Sequence, residues 1–315
     1  MAEKLPFTVV GATVANLVIA VAKFVAAWIS GSSAMLAEGF HSTVDTANEL
    51  LLMIGVARSR KSPDPSHPFG YGKELYFWSL LVAVLLFGIG GGLSFYEGLH
   101  RLLDHDVEEQ DAFWNYVVLA VSLVSEGSSW LIARRALLAR RPSRSLWRNL
   151  SRSRDPANFV VFAEDSAALA GIAVAFVGIL LHQLTGSILP DAIASMVIGL
   201  ILGVTAILLS IQNKHLLIGV SADSLLLESI EALVRKHALV RDVGTPLTMQ
   251  LGPSQVLVTM DMTFRTDGAT AAELVRVVDA LEVEIRKQHP QVQGVYISPR
   301  CAPASAKSEC RPARP

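Results

Sequence analysis

Ala37-Glu38-Gly39-Phe40-His41-Ser42-Thr43-Val44-Asp45-Thr46-Ala47-Asn48 lies inside a run that begins at Ser33 and continues through Leu50-Leu51-Leu52-Met53-Ile54-Gly55-Val56. The run has the length of a membrane helix, yet it carries polar residues at mid-depth. His41 and Asp45 are four residues apart and therefore share one helical face. Bringing one ionisable group to the bilayer centre costs roughly 2.5–3.5 kcal/mol, so two that face the same way point to a site lining protein or water rather than lipid. An imidazole and a carboxylate supply half of a tetrahedral set for a divalent metal. A hydrogen-bonded His–Asp pair that only fastens helices together is the alternative the motif alone leaves open.

The surrounding chain is consistent with a membrane setting. Of its 315 residues 51% are hydrophobic and only 17% charged, and the mean hydropathy is +0.43. That is too apolar for a soluble protein of this length and indicates a polytopic membrane protein. The net charge of -1 says nothing about partners, because the charges are unevenly placed. Met1 to Pro6 runs straight into a hydrophobic segment without a small-residue cleavage site, so the first segment is expected to remain as a helix. The cysteines, Cys301 and Cys310, sit in a polar tail (residues 301–315) expected to be disordered, which argues against a disulfide framework.

Six segments have the length of a bilayer-spanning helix: Phe7 to Ser30, Ser33 to Ala57, Leu75 to Leu99, Phe113 to Leu138, Ala157 to Leu181 and Ile188 to Ile211. The first carries Asn16 and Lys23 and should not face lipid all round. The third contains Gly88-Ile89-Gly90-Gly91-Gly92, where missing side chains permit close helix approach or a bend. The connection after the second segment holds Arg58, Arg60, Lys61 and Lys73, and the one after the fourth holds Arg134, Arg135, Arg140, Arg141, Arg144, Arg148, Arg152 and Arg154. Both are expected to be cytoplasmic, the acidic connection around Asp104 to Asp111 to lie opposite, and both termini to be cytoplasmic. Topology accounts for the basic run without a nucleic-acid partner. Asp191, opening the sixth segment after Pro190, reads as a cap.

From His215 the composition becomes that of a soluble domain. Asp223 to His237 has helical spacing of apolar residues, and Pro246 to Leu251 with Gln255 to Phe264 reads as a hairpin across Gly252-Pro253-Ser254. Thr270 to Gln288 is a second amphipathic helix and Val292 to Ser298 a third strand. The order is that of a small two-layer α+β unit with one sheet face left for a partner. The domain boundaries expected are 1–213 for six transmembrane helices, 214–300 for the cytoplasmic domain and 301–315 for the tail.

A mid-membrane site on the second segment needs another helix to complete it. The fifth offers Phe162-Ala163-Glu164-Asp165-Ser166. Adjacent acids in an apolar segment repel each other unless a cation or proton sits beside them. A metal held by His41, Asp45 and Asp165 removes that cost. The alternative is that Glu164 and Asp165 lie near the cytoplasmic start of the helix, where its dipole favours anions.

With these residues the chain resembles the cation diffusion facilitator family of divalent-metal transporters, in the branch that includes the mitochondrial zinc exporter of animals. Three motifs carry the resemblance: His41-Ser42-x-x-Asp45-x-x-Asn48; the loop His67-Pro68-Phe69-Gly70-Tyr71-Gly72-Lys73-Glu74; and the fifth-helix acid followed six residues later by Gly171. The resemblance implies a six-helix homodimeric exporter with a cytoplasmic ferredoxin-like domain. It implies exchange of a cytoplasmic metal, usually Zn²⁺, for protons, with His41, Asp45 and Asp165 as three of four transport ligands. Where zinc members usually place His or Asp four residues before the fifth-helix acid, this chain has Val161; Glu164 precedes Asp165 instead, about 100° round the helix. Three protein ligands plus water still suit zinc.

Two further sites of the family are weakened. In place of Asp-x-His-x-x-x-His the chain has Pro65-x-His67-x-x-x-Tyr71, and Met260 and Ser298-Pro299 stand where zinc-sensing cytoplasmic domains carry ligands. Asp64, Lys73 and Glu74 then read as inter-helix salt bridges and turn residues.

Imidazole and carboxylates can take up protons when a metal leaves and release them when it binds, which gives exchange without ATP. No GxxxxGK[ST] loop is present. Alternating access would come from rocking of the bundle about the site. Asn48, Glu126, Ser128 and Ser129 are candidates for supporting the ligands or passing protons, or for packing hydrogen bonds. No enzymatic activity and no bound cofactor are expected: a membrane metalloprotease needs a general base beside its ligands, as in HExxH, and His41-Ser42 lacks it. A passive channel or a non-transporting metal sensor is the other class. The donor set admits Zn²⁺, Co²⁺, Fe²⁺, Cd²⁺ and, with more oxygen ligands, Mn²⁺, and from the short, uncleaved N-terminus a bacterial plasma membrane is expected rather than an organelle.

Overall fold

The computed structural model describes residues 7–103, 113–139, 156–265 and 270–300. The chain divides into two compact units, one of residues 1–62 and 74–215, the other of residues 63–73 and 216–315. The basic run from Arg140 to Arg154, the acidic connection from Asp104 to Asp111 and the two cysteines lie outside the described residues.

The first unit is helical: α1 (Phe7–Ser30), α2 (Ser33–Ser59), α3 (Glu74–Leu85), α4 (Gly92–Leu103), α5 (Phe113–Ala139), α6 (Pro156–Thr185) and α7 (Leu189–Ile218). A π-helical stretch, Leu86–Gly91, joins α3 to α4 without a break. Among the described residues four stretches are long and apolar enough to cross a membrane: Glu74–Leu103, Phe113–Arg135, Phe159–Thr185 and Leu189–Ile218. Large apolar side chains such as Trp28, Val124, Leu184 and Leu200 point outward, while Met35, Val44, Ile179, Ile198 and Leu202 pack inside. An apolar surface over an apolar core is the pattern of a protein solvated by lipid, and this is a membrane protein. The composition of α2 is different, because Glu38, His41, Asp45, Asn48 and Glu49 interrupt it.

The glycine-rich stretch of the third segment serves close approach. A side chain on Gly91 would meet the backbone of Gly199 and Gly203, and one on Gly98 would meet Ala192 O, so α4 lies directly against α7. The hydroxyl of Ser195 donates to Ser94 O at 2.7 Å across the same contact. Asp191 caps a helix, but not its own. Its carboxylate accepts from Ser32 Oγ at 2.6 Å, Ser33 N at 2.7 Å and Ser33 Oγ at 2.8 Å, closing the first turn of α2. A buried anion there satisfies orphan donors and complements the helix dipole.

The second unit holds α8 (Ser224–Arg235), β1 (Val240–Val243), β2 (Leu247–Gly252), β3 (Gln255–Phe264), α9 (Ala271–Gln288) and β4 (Val292–Arg300). The two helices, the hairpin and the last strand stand where the sequence places them; β1 is an additional strand. β3 is central. β2 pairs antiparallel with its first half and β1 with its last residues, while β4 runs parallel along the other edge. Alternate residues of β3 (Val256, Val258, Met260, Met262, Phe264) join Ile230, Val234, Leu281 and Ile285 in one core. Leu247, Met249 and Tyr296 remain exposed. Asp223 caps α8, and Thr270 with Glu273 forms a capping box on α9.

Residues 63–73 belong to this second unit. Asp64 folds the segment by accepting from Ser66 N at 3.0 Å, His67 N at 2.9 Å and Tyr71 OH at 2.6 Å. These bonds, the Tyr71 hydroxyl first, hold the Asp64 carboxyl well below the usual carboxylate range. Any side chain on Gly72 would overlap Gln255 and Leu251 O, which seats the segment on the β2–β3 turn. Lys73 Nζ donates to Leu217 O at 3.2 Å, so it is a hydrogen-bond anchor and not the salt bridge the sequence reading allowed. Glu74 does join two helices, with Arg58 of α2 at 3.9 Å and Trp78 Nε1 of α3 at 2.8 Å.

Candidate functional site

Two threonines of α2 satisfy their hydroxyls within the helix. Thr43 Oγ1 donates to Gly39 O and Thr46 Oγ1 to Ser42 O, each four residues back, which leaves the longer side chains to reach other helices. Gly39 lets the ring of Phe24 approach from α1.

His41 is buried and Asp45 nearly so, and His41 Nε2 lies 3.6 Å from Asp45 Oδ2. That is too long for a hydrogen bond. All four polar side-chain atoms of the pair, His41 Nδ1 and Nε2 with Asp45 Oδ1 and Oδ2, lack a hydrogen-bond partner among the described residues. The fastening-pair alternative predicts the opposite. Glu164 and Asp165 are also buried, on α6. Their 100° separation aims them at different neighbours. Glu164 Oε1 accepts from Asn48 Nδ2 of α2 at 2.7 Å, while Asp165, with Ser129 of α5 close by, has its Oδ2 unpartnered among the described residues. Glu126 of α5 is within electrostatic reach of Asp45, Glu164 and Asp165. Ser128 instead donates to Ser125 O of its own helix.

The four residues singled out for metal thus come from two helices, His41 and Asp45 on α2 and Glu164 and Asp165 on α6. Among the described residues no three His, Cys, Asp or Glu are gathered closely enough to hold one ion together. Two levels of polar contact adjoin the site that the sequence reading left without a role. On one side Lys23 Nζ of α1 donates to Glu38 Oε2 at 2.9 Å and to Ser42 Oγ at 2.7 Å. On the other, Asn16 Nδ2 donates to Glu49 Oε1 at 2.6 Å. The spacing of Glu38, Ser42, Asp45 and Glu49 at three and four residues marks one side of α2 and was the available signal.

In the loop, His67 Nδ1 lies 3.6 Å from Asp64 Oδ1 and its ring stacks on Tyr71 at 4.2 Å, so the one retained position of that weakened site is engaged within the loop. In the second unit Met260 is part of the core, and Ser298 pairs in register with Asp261, whose carboxylate meets Arg300 at 3.1 Å.

Comparison with known proteins places these residues in a family. Residues 9–218 match the cation efflux transmembrane domain. The mitochondrial proton-coupled zinc antiporter of Homo sapiens is 36% identical over 233 residues, which are 73% of this chain and 41% of the relative. The metal tolerance protein C4 of Arabidopsis thaliana is 33% identical over 240 residues, 76% of this chain and 52% of the relative. The magnetosome protein MamM of Paramagnetospirillum magneticum is 36% identical over 112 residues, 36% of this chain and 34% of the relative. The chain therefore spans about half, or less, of the length of these curated relatives. Across the membrane part, the polar face of α2 and the acids of α6 sit inside the matched domain, and the chain belongs to the cation diffusion facilitator, or cation efflux, family.

Proposed function

We propose that the protein exports a divalent metal ion, Zn²⁺ foremost, in exchange for protons. His41, Asp45 and Asp165 are the proposed transport ligands, with Glu164 as the carboxylate that stands in for the residue missing at Val161. The observation that carries this reading is the buried His41–Asp45 pair, 3.6 Å apart with every polar atom unpartnered. A buried polar atom left without a hydrogen bond costs about 1–3 kcal/mol, and more when charged, so the pair calls for a proton or a metal ion to complete it. Imidazole and carboxylates bind either, but not both at once, which is the chemistry of exchange. Because α2 and α6 each carry half the donors, a shift of one helix against the other makes or opens the coordination shell, as alternating access requires.

The same proposal takes all six segments as membrane spans, residues 1–213 as the transport domain and residues 214–300 as a ferredoxin-like cytoplasmic domain. The exposed sheet face with Leu247, Met249 and Tyr296 supports a homodimer. The Arg and Lys that follow the second and fourth segments support cytoplasmic termini. A bacterial plasma membrane is the proposed location, with the mitochondrial membrane as the alternative that imaging of a tagged chain distinguishes.

The test is metal uptake into vesicles under an imposed pH gradient, comparing Zn²⁺, Mn²⁺, Fe²⁺ and Co²⁺ for wild type and Asp45→Ala. Proton-driven Zn²⁺ accumulation that disappears in the variant is expected. Uptake that only dissipates a metal gradient would make the protein a channel, and no uptake of any ion would leave the sensor reading.

A further inference from the structure

Gly171 belongs to a motif of the fifth membrane segment, yet it brings no functional group to the site. Its surroundings account for it. A methyl group on Gly171 would overlap Glu38 Oε1, which reaches across from α2. The other oxygen of that carboxylate accepts from Lys23 Nζ at 2.9 Å, and the same ammonium donates to Ser42 Oγ at 2.7 Å. Lys23 and Glu38 are fully buried, and Glu38 Oε1 has no hydrogen-bond partner among the described residues. One polar knot therefore ties three helices together. Lys23 of α1 bridges the two turns of α2 that flank His41, and Glu38 fills the hollow over Gly171, six residues along α6 from Asp165.

A buried ion pair is a poor way to gain stability, because desolvation consumes most of the attraction, and apolar residues of similar size often do as well or better. Its use is to admit one arrangement and penalise the rest. That matters here because turning α2 by a single residue moves its side chains about 100° and carries His41 and Asp45 away from α6. A divalent cation would be repelled from Glu38 by the ammonium bonded to it, so Glu38 is not a further ligand.

We propose that Lys23, Glu38 and Gly171 form a positioning device that sets the rotation of α2 against α1 and α6, and through it the alignment of His41 and Asp45 with Asp165. It thereby governs how tightly the transported cation is held. The inference rests on the metal-transport reading above.

The experiment measures KM and turnover for Zn²⁺ uptake in proteoliposomes, together with Zn²⁺ affinity of the purified protein by equilibrium dialysis and its thermal midpoint. The variants are Glu38→Gln, Gly171→Ala and the double variant Gly171→Ala with Glu38→Asp. Glu38→Gln and Gly171→Ala are expected to raise KM and weaken Zn²⁺ binding by about tenfold, the lower range for losing support behind a metal ligand, with turnover little changed. The double variant is expected to recover most of that loss, since the shorter carboxylate makes room for the methyl group. Should Glu38→Gln fail to fold because Lys23 is left unpaired, Gly171→Ala and the double variant, which keep both charges, decide. Unaltered KM and affinity in folded variants, whatever their thermal midpoint, would overturn the positioning role. A wild type that binds Zn²⁺ but does not carry it would overturn the transport reading alone, and affinity in Gly171→Ala would still judge the device. A wild type that neither binds nor carries metal would overturn both.

Discussion

Two levels of α2, one turn apart, are built from the same kinds of residue and end in different states. At the first, Glu38 and Ser42 are engaged by Lys23 through bonds of 2.9 and 2.7 Å. At the second, His41 and Asp45 stand 3.6 Å apart with no atom satisfied. Hydrogen-bonded buried charge holds helices in place, whereas unsatisfied buried charge costs energy until something binds. The difference separates scaffold from proposed site within a dozen residues of one helix. The cap at Asp191 belongs with the scaffold, because each of its three bonds closes the same turn of α2.

The comparison can be broken most forcefully at the unsatisfied level. Asp45→Ala is expected to lower Zn²⁺ uptake by at least about a hundredfold, since it removes a proposed ligand and not merely its support; retained uptake in the vesicle assay would merge the two levels into one structural network. Asn48→Ala acts one step further out, freeing Glu164, and is expected to weaken Zn²⁺ affinity about tenfold in equilibrium dialysis. Away from the Lys23–Glu38 knot, the Asp191 cap is expected to affect stability and not function. Asp191→Asn loses charge-assisted bonds worth roughly 1.5–3 kcal/mol each, so thermal unfolding in detergent should occur at lower temperature while the KM of the folded fraction is kept.

The smallest effect is expected in the loop. Hydrogen bonds led by Tyr71 hold the folded pKa of Asp64 below its unfolded value. Its contribution to loop order is therefore complete above the ordinary carboxylate pKa and is lost as pH falls through the depressed folded value. Tyr71→Phe removes the largest cause. The Asp64 carboxyl should then titrate closer to the ordinary range in NMR, and the loop should loosen at a higher pH than in wild type.

Hydropathy made the long helices legible, because an apolar run of about 20 residues has few other uses. The candidate site was legible for the converse reason: His41, Asp45, Glu164 and Asp165 are costly where they stand. What could not be read was partnership across sequence distance. Asp191 looks like the cap of its own helix because its neighbours in sequence are all that a sequence displays, while its donors lie near residue 32. The 100° between Glu164 and Asp165 looked like an obstacle to joint use, yet α6 is packed against both α2 and α5: Glu164 takes its donor from α2, and Asp165 has Ser129 of α5 beside it. β1 escaped notice because Val240-Arg241-Asp242-Val243 is short and puts two charges at its centre, so little alternation shows. Glu38 was plain in the sequence, but its task depends on Lys23 and Gly171, neither of which declares itself alone.

The most direct test of the central claim is proton release on metal binding, followed by titrating Zn²⁺ into the purified protein in weakly buffered solution. If the unsatisfied His41–Asp45 level is the place where metal and protons compete, Zn²⁺ binding to wild type releases protons, and Asp45→Asn binds more weakly and releases fewer. Zn²⁺ binding that releases no protons, or that is the same in Asp45→Asn, would contradict the account.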